Sequence, residues 1–438
     1  VVDELTDKWS DNDYWGGRQP FTHIWHKLIT EWIKRDRNRP SIILWSLGNE
    51  LQIREGWAGF EGTNDWGITT YNIFNQLVKR WDNTRLTTVA MFPARAGAIT
   101  RHDKEFNDYL VPPELACATE VASFNYQSDK YDAYLKYKPD LILFQSEAET
   151  SNLLQPYYNM DRKRTVGMAY WGSAEYWGES NKWPKKGWNY SFFDHTMRPY
   201  PQAYLIKSAF MPEIPEVHIG VVDAAGAESV SWNDVIVGRM ALNECWNHTP
   251  GSRQSLFTFT NAHSVELLVN GQSMGVQEND TTQANLRNMI YWKDVPYGNG
   301  GSVVAIARDK SGKEVARHHI ETAGKAVALR IEAETPADWK ADGMDLQYIN
   351  VTAIDKKGRP VWDYNKPLTL QMEGAAWLVA LDNGDHYTDE LFHGITSKRM
   401  YQGRMQIILR STKTPSNVKL EISSADLKEK LSLKTSLK

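Results

Sequence analysis

The sequence predicts an α/β region followed by an all-β region: a (β/α)8 TIM barrel whose N-terminal strands are missing from this chain, then two immunoglobulin-like β-sandwiches. Three observations lead there. Residues 1 to about 212 alternate short, continuously apolar runs with amphipathic stretches, the texture of a parallel sheet buried on both faces. No Gly-rich phosphate loop follows any of those runs, which disfavours a doubly wound dinucleotide fold. Past Pro215 the runs change to strict apolar/polar alternation broken by turn residues, as antiparallel hairpins require.

The candidate barrel strands are 1–5 (VVDEL), 41–47 (SIILWSL), 86–92 (LTTVAMF), 120–126 (EVASFNY), 140–146 (DLILFQS) and 166–171 (VGMAYW). Between them FTHIWHKLITEWIKRD and ITTYNIFNQLVKRWD carry apolar residues at helical spacing. Strand, helix and strand in repetition make βα units, and six of them match six-eighths of a barrel. A barrel that stays open exposes two unpaired sheet edges, so the remaining strands are expected from an N-terminal segment of the same polypeptide. Residues 255–275 alternate and turn at Asn270-Gly271, residues 301–324 repeat the pattern around Lys310-Ser311-Gly312, and 345–361 turns at Lys357-Gly358 before 405–411. These readings divide the chain into a partial barrel over 1–212 and sandwiches over 213–324 and 325–438, each of about 100 residues.

Composition narrows the function. The chain has 438 residues, 41% hydrophobic and 24% charged, with a net charge of −4. That gives no field to recruit nucleic acid or an anionic membrane, and no run approaches the roughly 20 apolar residues of a membrane span. Cys117 and Cys245 stand in no metal-ligand spacing, and His23 and His26 lack a third ligand, so no metal and no cofactor are expected. The 18 tryptophans are either core or stacking platforms for the flat apolar faces of sugars.

Barrel strands place chemistry at their C-terminal ends. Glu50 follows the strand 41–47, and Glu147 follows 140–146. Two such acids can flank one bond as general acid and nucleophile, about 5–5.5 Å apart in a retaining glycosidase; equally, each could be a solvated loop acid.

The wording of the motifs adds to this. DRNRPSIILWSLGNE (36–50) resembles the acid/base signature of glycoside hydrolase family two. VVDELTDKW, SFNYQSDKY, LILFQSE and AYWGSAEYWGE resemble further barrel strands of that family, in the family's order. TNAHSVELLVNGQSMG and DGMDLQYINVTAIDKKGRPV with DNGD are similar to accessory sandwiches of its bacterial β-galactosidases. The resemblance implies that Glu50 is the general acid/base and that Glu147 is the nucleophile. Glu149 is the rival, two residues on and able to face the same side. It further implies that Asn49 bonds the sugar 2-OH, Tyr126 bonds the nucleophile, and Trp171 floors the sugar ring. Asp7 and Glu179 match acidic positions of the pocket, with structural ion pairs as their alternative role.

The chain departs from the family in two ways. The upstream sandwiches and first barrel strands are absent, and WGSAEYW replaces the usual eighth-strand wording. The accessory modules and the Asp-x-Trp strand resemble the β-galactosidase branch, which implies exo-cleavage of terminal β-galactosides with retention. The alternatives are a β-glucuronidase, although its Asn-x-Lys clamp is absent from GWNYSFFDHTMRPYPQ, a β-mannosidase, a specialised galactan hydrolase, or an inactive carbohydrate-binding or structural fragment. The expected partners are a carbohydrate substrate and the N-terminal segment, with a homo-oligomer left open. A periplasmic or secreted bacterial location is expected.

Overall fold

The computed structural model describes residues 1–9, 21–53, 56–57, 67–91, 111–148, 154–176, 183–187, 191–223, 229–232, 235–238 and 241–437. They form two compact units, Val1–Trp171 and Gly172–Lys438. Residues 172–212 fall in the second of these.

The first unit is built on six strands: β1 (Val2–Glu4), β2 (Leu44–Asn49), β3 (Leu86–Met91), β4 (Val121–Asn125), β5 (Leu143–Ala148) and β6 (Thr165–Tyr170). All pair in parallel, each beside the next in sequence. A doubly wound sheet reverses that order at its switch point, so this is the wall of a barrel. Among the described residues the sheet is open, with β1 and β6 at its edges. The parallel, doubly covered character holds for the inner strands: every residue of β4 is buried, and so are five of the six in β3. The edge strand β6 differs, with Val166 65% exposed.

Two helices, α1 (Phe21–Asp36) and α2 (Ile68–Trp81), bury their apolar stripes in the same core. Trp32 meets Trp45 edge-on at 4.9 Å, and Trp9 meets Phe74 at 5.2 Å, the offset geometry that aromatic quadrupoles favour. The Trp45 indole donates to Asp82 at 2.9 Å. For Trp9 and Trp45, both fully buried, the tryptophan question resolves to packing.

Two strands are displaced from their expected limits. β2 begins at Leu44 and runs to Asn49, two residues past its expected end, with Ile43 68% exposed just before it. β5 runs to Ala148, so Glu147 lies within the strand instead of after it. The polar run Gln145-Ser146-Glu147 reads as a strand end, yet its backbone goes on pairing, with Asn125 opposite Glu147 and Tyr170 opposite Ala148.

The second unit opens with a helix over Pro201–Phe210 and continues in antiparallel sheets. One sandwich joins the sheet of Val217–Val222, Leu242–Asn243, Arg253–Thr260 and Met289–Pro296 to that of Ser264–Val269, Gln272–Glu278, Ser302–Arg308 and Glu314–Glu321. Ile219, Leu256 and Trp292 of the first sheet share a core with Leu267, Val303 and Ala305 of the second. The next sandwich pairs the sheet carrying Leu346–Asp355 and Arg404–Ser411 with that of Pro367–Glu373, Asn417–Ser424 and Leu427–Lys434 around Ile349, Ile407, Leu370 and Leu420. The Asn270-Gly271 turn has φ of 50° and 81°. Both central residues being left-handed is what a two-residue type I′ hairpin requires.

In the first sandwich Tyr204, His218 and His318 form a stack, with ring centroids 3.5 Å and 3.9 Å apart. His218 Nε2 stands 2.9 Å from Glu244. These side chains are close enough to suggest a cation site, but the His318 Nδ1 lone pair already accepts the Ile219 N–H at 3.1 Å. Face-to-face imidazoles also aim their in-plane lone pairs side by side, which suits stacking better than ligation. Burial, and then the neighbouring His218, pushes His318 down to about 4. Its unfolded value is near 6.5, so between these limits the unfolded chain binds the extra proton. This stabilisation is present above pH 6.5 and is lost as the pH falls towards 4. The His318→Gln variant should therefore lose less stability between pH 6.5 and 4, by up to about 3 kcal/mol, read as a flatter dependence of melting temperature on pH. An unchanged slope would refute the assignment.

Candidate active site

Every described residue singled out for the site lies at the C-terminal end of a strand. Asn49 closes β2 and Glu50 follows it, Tyr126 follows β4, Glu147 is the penultimate residue of β5, Trp171 follows β6, and Asp7 lies three residues beyond β1. In a parallel sheet those ends form one rim, which is where barrel chemistry is placed.

The chain enters this rim by departing from regular strand geometry. The β2–β3 register shifts between Ser46 and Asn49, and the β4–β5 register shifts at Asn125, so Ser146 falls between paired positions. Such bulges re-aim side chains at sheet ends. Glu50 and Tyr126 have φ of 45° and 58°, left-handed values that cost a non-glycine residue roughly 1–2 kcal/mol. Both are held there by backbone bonds: Glu50 N–H to Ala90 O, and Tyr126 N–H to Glu147 O, at 2.7 and 2.8 Å.

Hydrogen bonds then connect the acids. The Asn125 amide donates to Glu50 Oε1 at 3.2 Å and to Asn49 Oδ1 at 3.0 Å. Its own carbonyl oxygen accepts from Ser146 Oγ at 2.7 Å. The next residue, Tyr126, donates its hydroxyl to Glu147 Oε2 at 2.6 Å. Two successive residues at the end of β4 thus hold one acid each. Glu50 is buried, whereas Glu147 is half-buried, so the two acids sit in different environments.

Asn49 is fixed from the other side. Its Nδ2 donates to Asp7 Oδ1 at 3.0 Å, and its backbone N–H donates to Asp7 O at 2.7 Å. Asp7 also pairs with Lys8 at 2.8 Å. Asp7 therefore makes an ion pair and in addition orients Asn49. Trp171 is half-buried, its N–H bonded to Ala148 O at 3.0 Å. Glu179 and Glu149 lie outside the described residues.

Gly48 explains the spelling of the loop. A Cβ there would stand 2.6 Å from Trp9 Nε1, and that indole donates to Leu47 O at 2.7 Å. Gly48→Ala should displace Trp9 and cost about 1–3 kcal/mol, read as a drop in melting temperature; an unchanged midpoint would show that the indole moves freely.

Three participants were not singled out from the sequence. Asn125 and Ser146 lay inside the matched motifs but carried no role; their signal was polarity at the ends of buried strands. Glu4 accepts from Ser46 Oγ at 2.5 Å. Desolvation by surrounding protein, with Asp7 and Glu50 nearby, pushes its carboxyl up to about 7, although the residue keeps an exposed surface.

Residues 11–169 match the model described as glycosyl hydrolases family 2, TIM barrel domain, and residues 329–431 match glycoside hydrolase family 2 C-terminal domain 5. The chain belongs to glycoside hydrolase family two. Between these matches, residues 251–316 match a domain of unknown function, DUF4982. The chain is similar to the β-galactosidase BoGH2A of Bacteroides ovatus, 24% identical over 480 aligned positions that cover 98% of this chain and 54% of that protein. A β-glucuronidase of Formosa agariphila is 26% identical over 168 residues, 38% of this chain and 14% of its own. Among solved structures, a family-two member from Bacteroides cellulosilyticus aligns over 99% of this chain and 53% of its own, with 25% identity and a TM-score of 0.79. The chain thus spans about half the length of the curated relative it matches most fully.

Proposed function

We propose that the protein is a retaining, exo-acting glycosidase that releases terminal β-galactose, acting with an N-terminal segment of the same polypeptide. The observation that carries this reading is the Asn125-Tyr126 pair, which bonds Glu50 with one residue and Glu147 with the next. In the first step a Glu147 oxygen attacks the anomeric carbon as the glycosidic C–O bond breaks, and Glu50 gives its proton to the departing oxygen. In the second step Glu50 takes a proton from water, the oxygen of that water attacks the same carbon, and Glu147 is released as carboxylate. Tyr126 aligns Glu147, while Asn49, held by Asp7, meets the sugar 2-OH. Trp171 floors the ring, and Glu179 belongs to the pocket wall.

Galactose is favoured because the relative that spans this chain is described as a β-galactosidase. Glucuronic acid is the second reading, favoured by the β-glucuronidase that matches 38% of the chain. Initial rates on a panel of nitrophenyl β-glycosides distinguish them, and proton NMR of the first-formed sugar should show the β anomer. Early α anomer would overturn the retaining mechanism. The division into a barrel over 1–212 and sandwiches over 213–324 and 325–438 belongs to the same proposal, as does a periplasmic or secreted location, which cell fractionation tests.

A further inference from the structure

A second polar site lies wholly within the Gly172–Lys438 unit. A cleft of about 330 Å³ opens between the turn Asp194–Pro199 and the sheet of the last sandwich, with Arg198, Arg330 and Arg404 in its lining. Its walls are rigid. Asp194 Oδ1 accepts from the Thr196 N–H, the Thr196 hydroxyl and the Arg198 N–H, at 2.8, 2.6 and 3.1 Å. Gln406 Nε2 ties that turn to the sheet, donating to Thr196 O at 3.3 Å and Asn350 Oδ1 at 3.1 Å.

The arginines are held without a direct ion pair, although the carboxylates of Glu244 and Asp194 act on Arg404, and Glu244 on Arg198, from farther off. Arg198 and Arg404 both lie over the Trp362 ring, 4.6 and 5.2 Å from its centroid. Arg330 pairs with Glu332 at 3.3 Å. Among the described residues Arg198 and Arg404 have no carboxylate within 4.0 Å, and Arg404 Nε is buried without an acceptor. Arg198 reaches only Gln402 Oε1, at 3.5 Å. A buried guanidinium without a partner is costly, and like charges side by side add to that; burial and then Arg198 press Arg404 down to about 10. Arginines that serve packing alone are ordinarily matched to carboxylates. Two set as a fork on one indole with no carboxylate bonded to either suit the bidentate capture of an oxyanion. The same cleft carries four carboxylates, Asp194, Asp382, Glu332 and Glu334, and Asn350, acceptors that suit neutral hydroxyl groups.

The geometry points to a binding site for a saccharide unit bearing a carboxylate or sulfate, its oxyanion on Arg198 and Arg404 and its hydroxyls on the facing acceptors. The choice of a saccharide rests on the glycosidase reading, but the test measures binding alone and involves neither catalytic acid. The whole protein is titrated calorimetrically, at low salt, with an oligogalacturonide, a sulfated galactan oligosaccharide, a neutral galactan oligosaccharide of equal length, and inorganic sulfate. At least one anionic oligosaccharide should bind about tenfold or more tightly than the neutral one, and Arg404→Gln and Arg198→Gln should each weaken it about tenfold or more, the loss of a charge-assisted pair. Which of the two binds identifies the oxyanion. Arg404→Lys, which keeps the charge but not the fork, should fall between, and serves alone if the glutamine variant does not fold. The inference is overturned if no anionic oligosaccharide binds, if the neutral one binds equally, if inorganic sulfate binds as tightly as the oligosaccharide, or if the variants bind as the parent does.

Discussion

Glu147→Gln is expected to lower turnover on nitrophenyl β-galactoside by roughly 10⁴-fold or more, as removal of a nucleophile does elsewhere, which is about 5.5 kcal/mol of transition-state stabilisation. The amide keeps the volume of the carboxylate and can still meet the Tyr126 hydroxyl, now 2.6 Å from Glu147 Oε2. Loss of rate would therefore report lost nucleophilicity and not a collapsed site, provided the melting temperature holds. Labelling with a 2-fluoro glycosyl fluoride and mapping the peptide tests the same point directly, because the fluorine slows both steps and lets the glycosyl-enzyme accumulate. A label on Glu149, or a variant that keeps more than a few per cent of the parent rate, would move the nucleophile two residues along.

The second large effect is expected at Glu50. With Glu50→Gln no proton reaches the departing oxygen, so substrates with basic leaving groups should lose roughly 10²–10⁴-fold. Dinitrophenyl glycosides, whose leaving group departs unprotonated, should retain their first step and then stall at the glycosyl-enzyme for want of a base. Azide, which needs no base, should restore turnover and give the β-glycosyl azide. Equal losses on both leaving groups would mean that Glu50 positions substrate and transfers no proton. Asn125 bonds Glu50 at 3.2 Å, so Asn125→Ala should reproduce part of this pattern.

Several features were legible along the chain. The apolar runs and helical stripes of the first half are local consequences of side chains that must be buried on both faces of a parallel sheet, and they place β1 to β6 within a few residues. The Asn270-Gly271 turn was equally local, because few residue pairs accept two successive left-handed conformations. Glu50 and Glu147 could be located as acids at strand ends, since parallel strands all deliver their C-terminal ends to one rim.

Other features depended on partners distant in sequence. That Glu147 sits inside β5 follows from pairing with Asn125, 22 residues earlier, across a bulge; no window of the sequence contains that register. The roles of Asn125 and Ser146 arise only when the ends of β4 and β5 come side by side, 2.7 Å apart at Ser146 Oγ. Gly48 is required by Trp9, a contact across 39 residues. Arg198 and Arg404 gather on Trp362 only through the packing of a turn near residue 196 against a sheet near residue 404. The sequence by itself determined which segments must be buried and where the chain must turn, because solvation and backbone sterics act residue by residue. The tertiary structure alone decided which polar groups meet, because hydrogen bonds and ion pairs act over about 3 Å between atoms that the chain order leaves far apart.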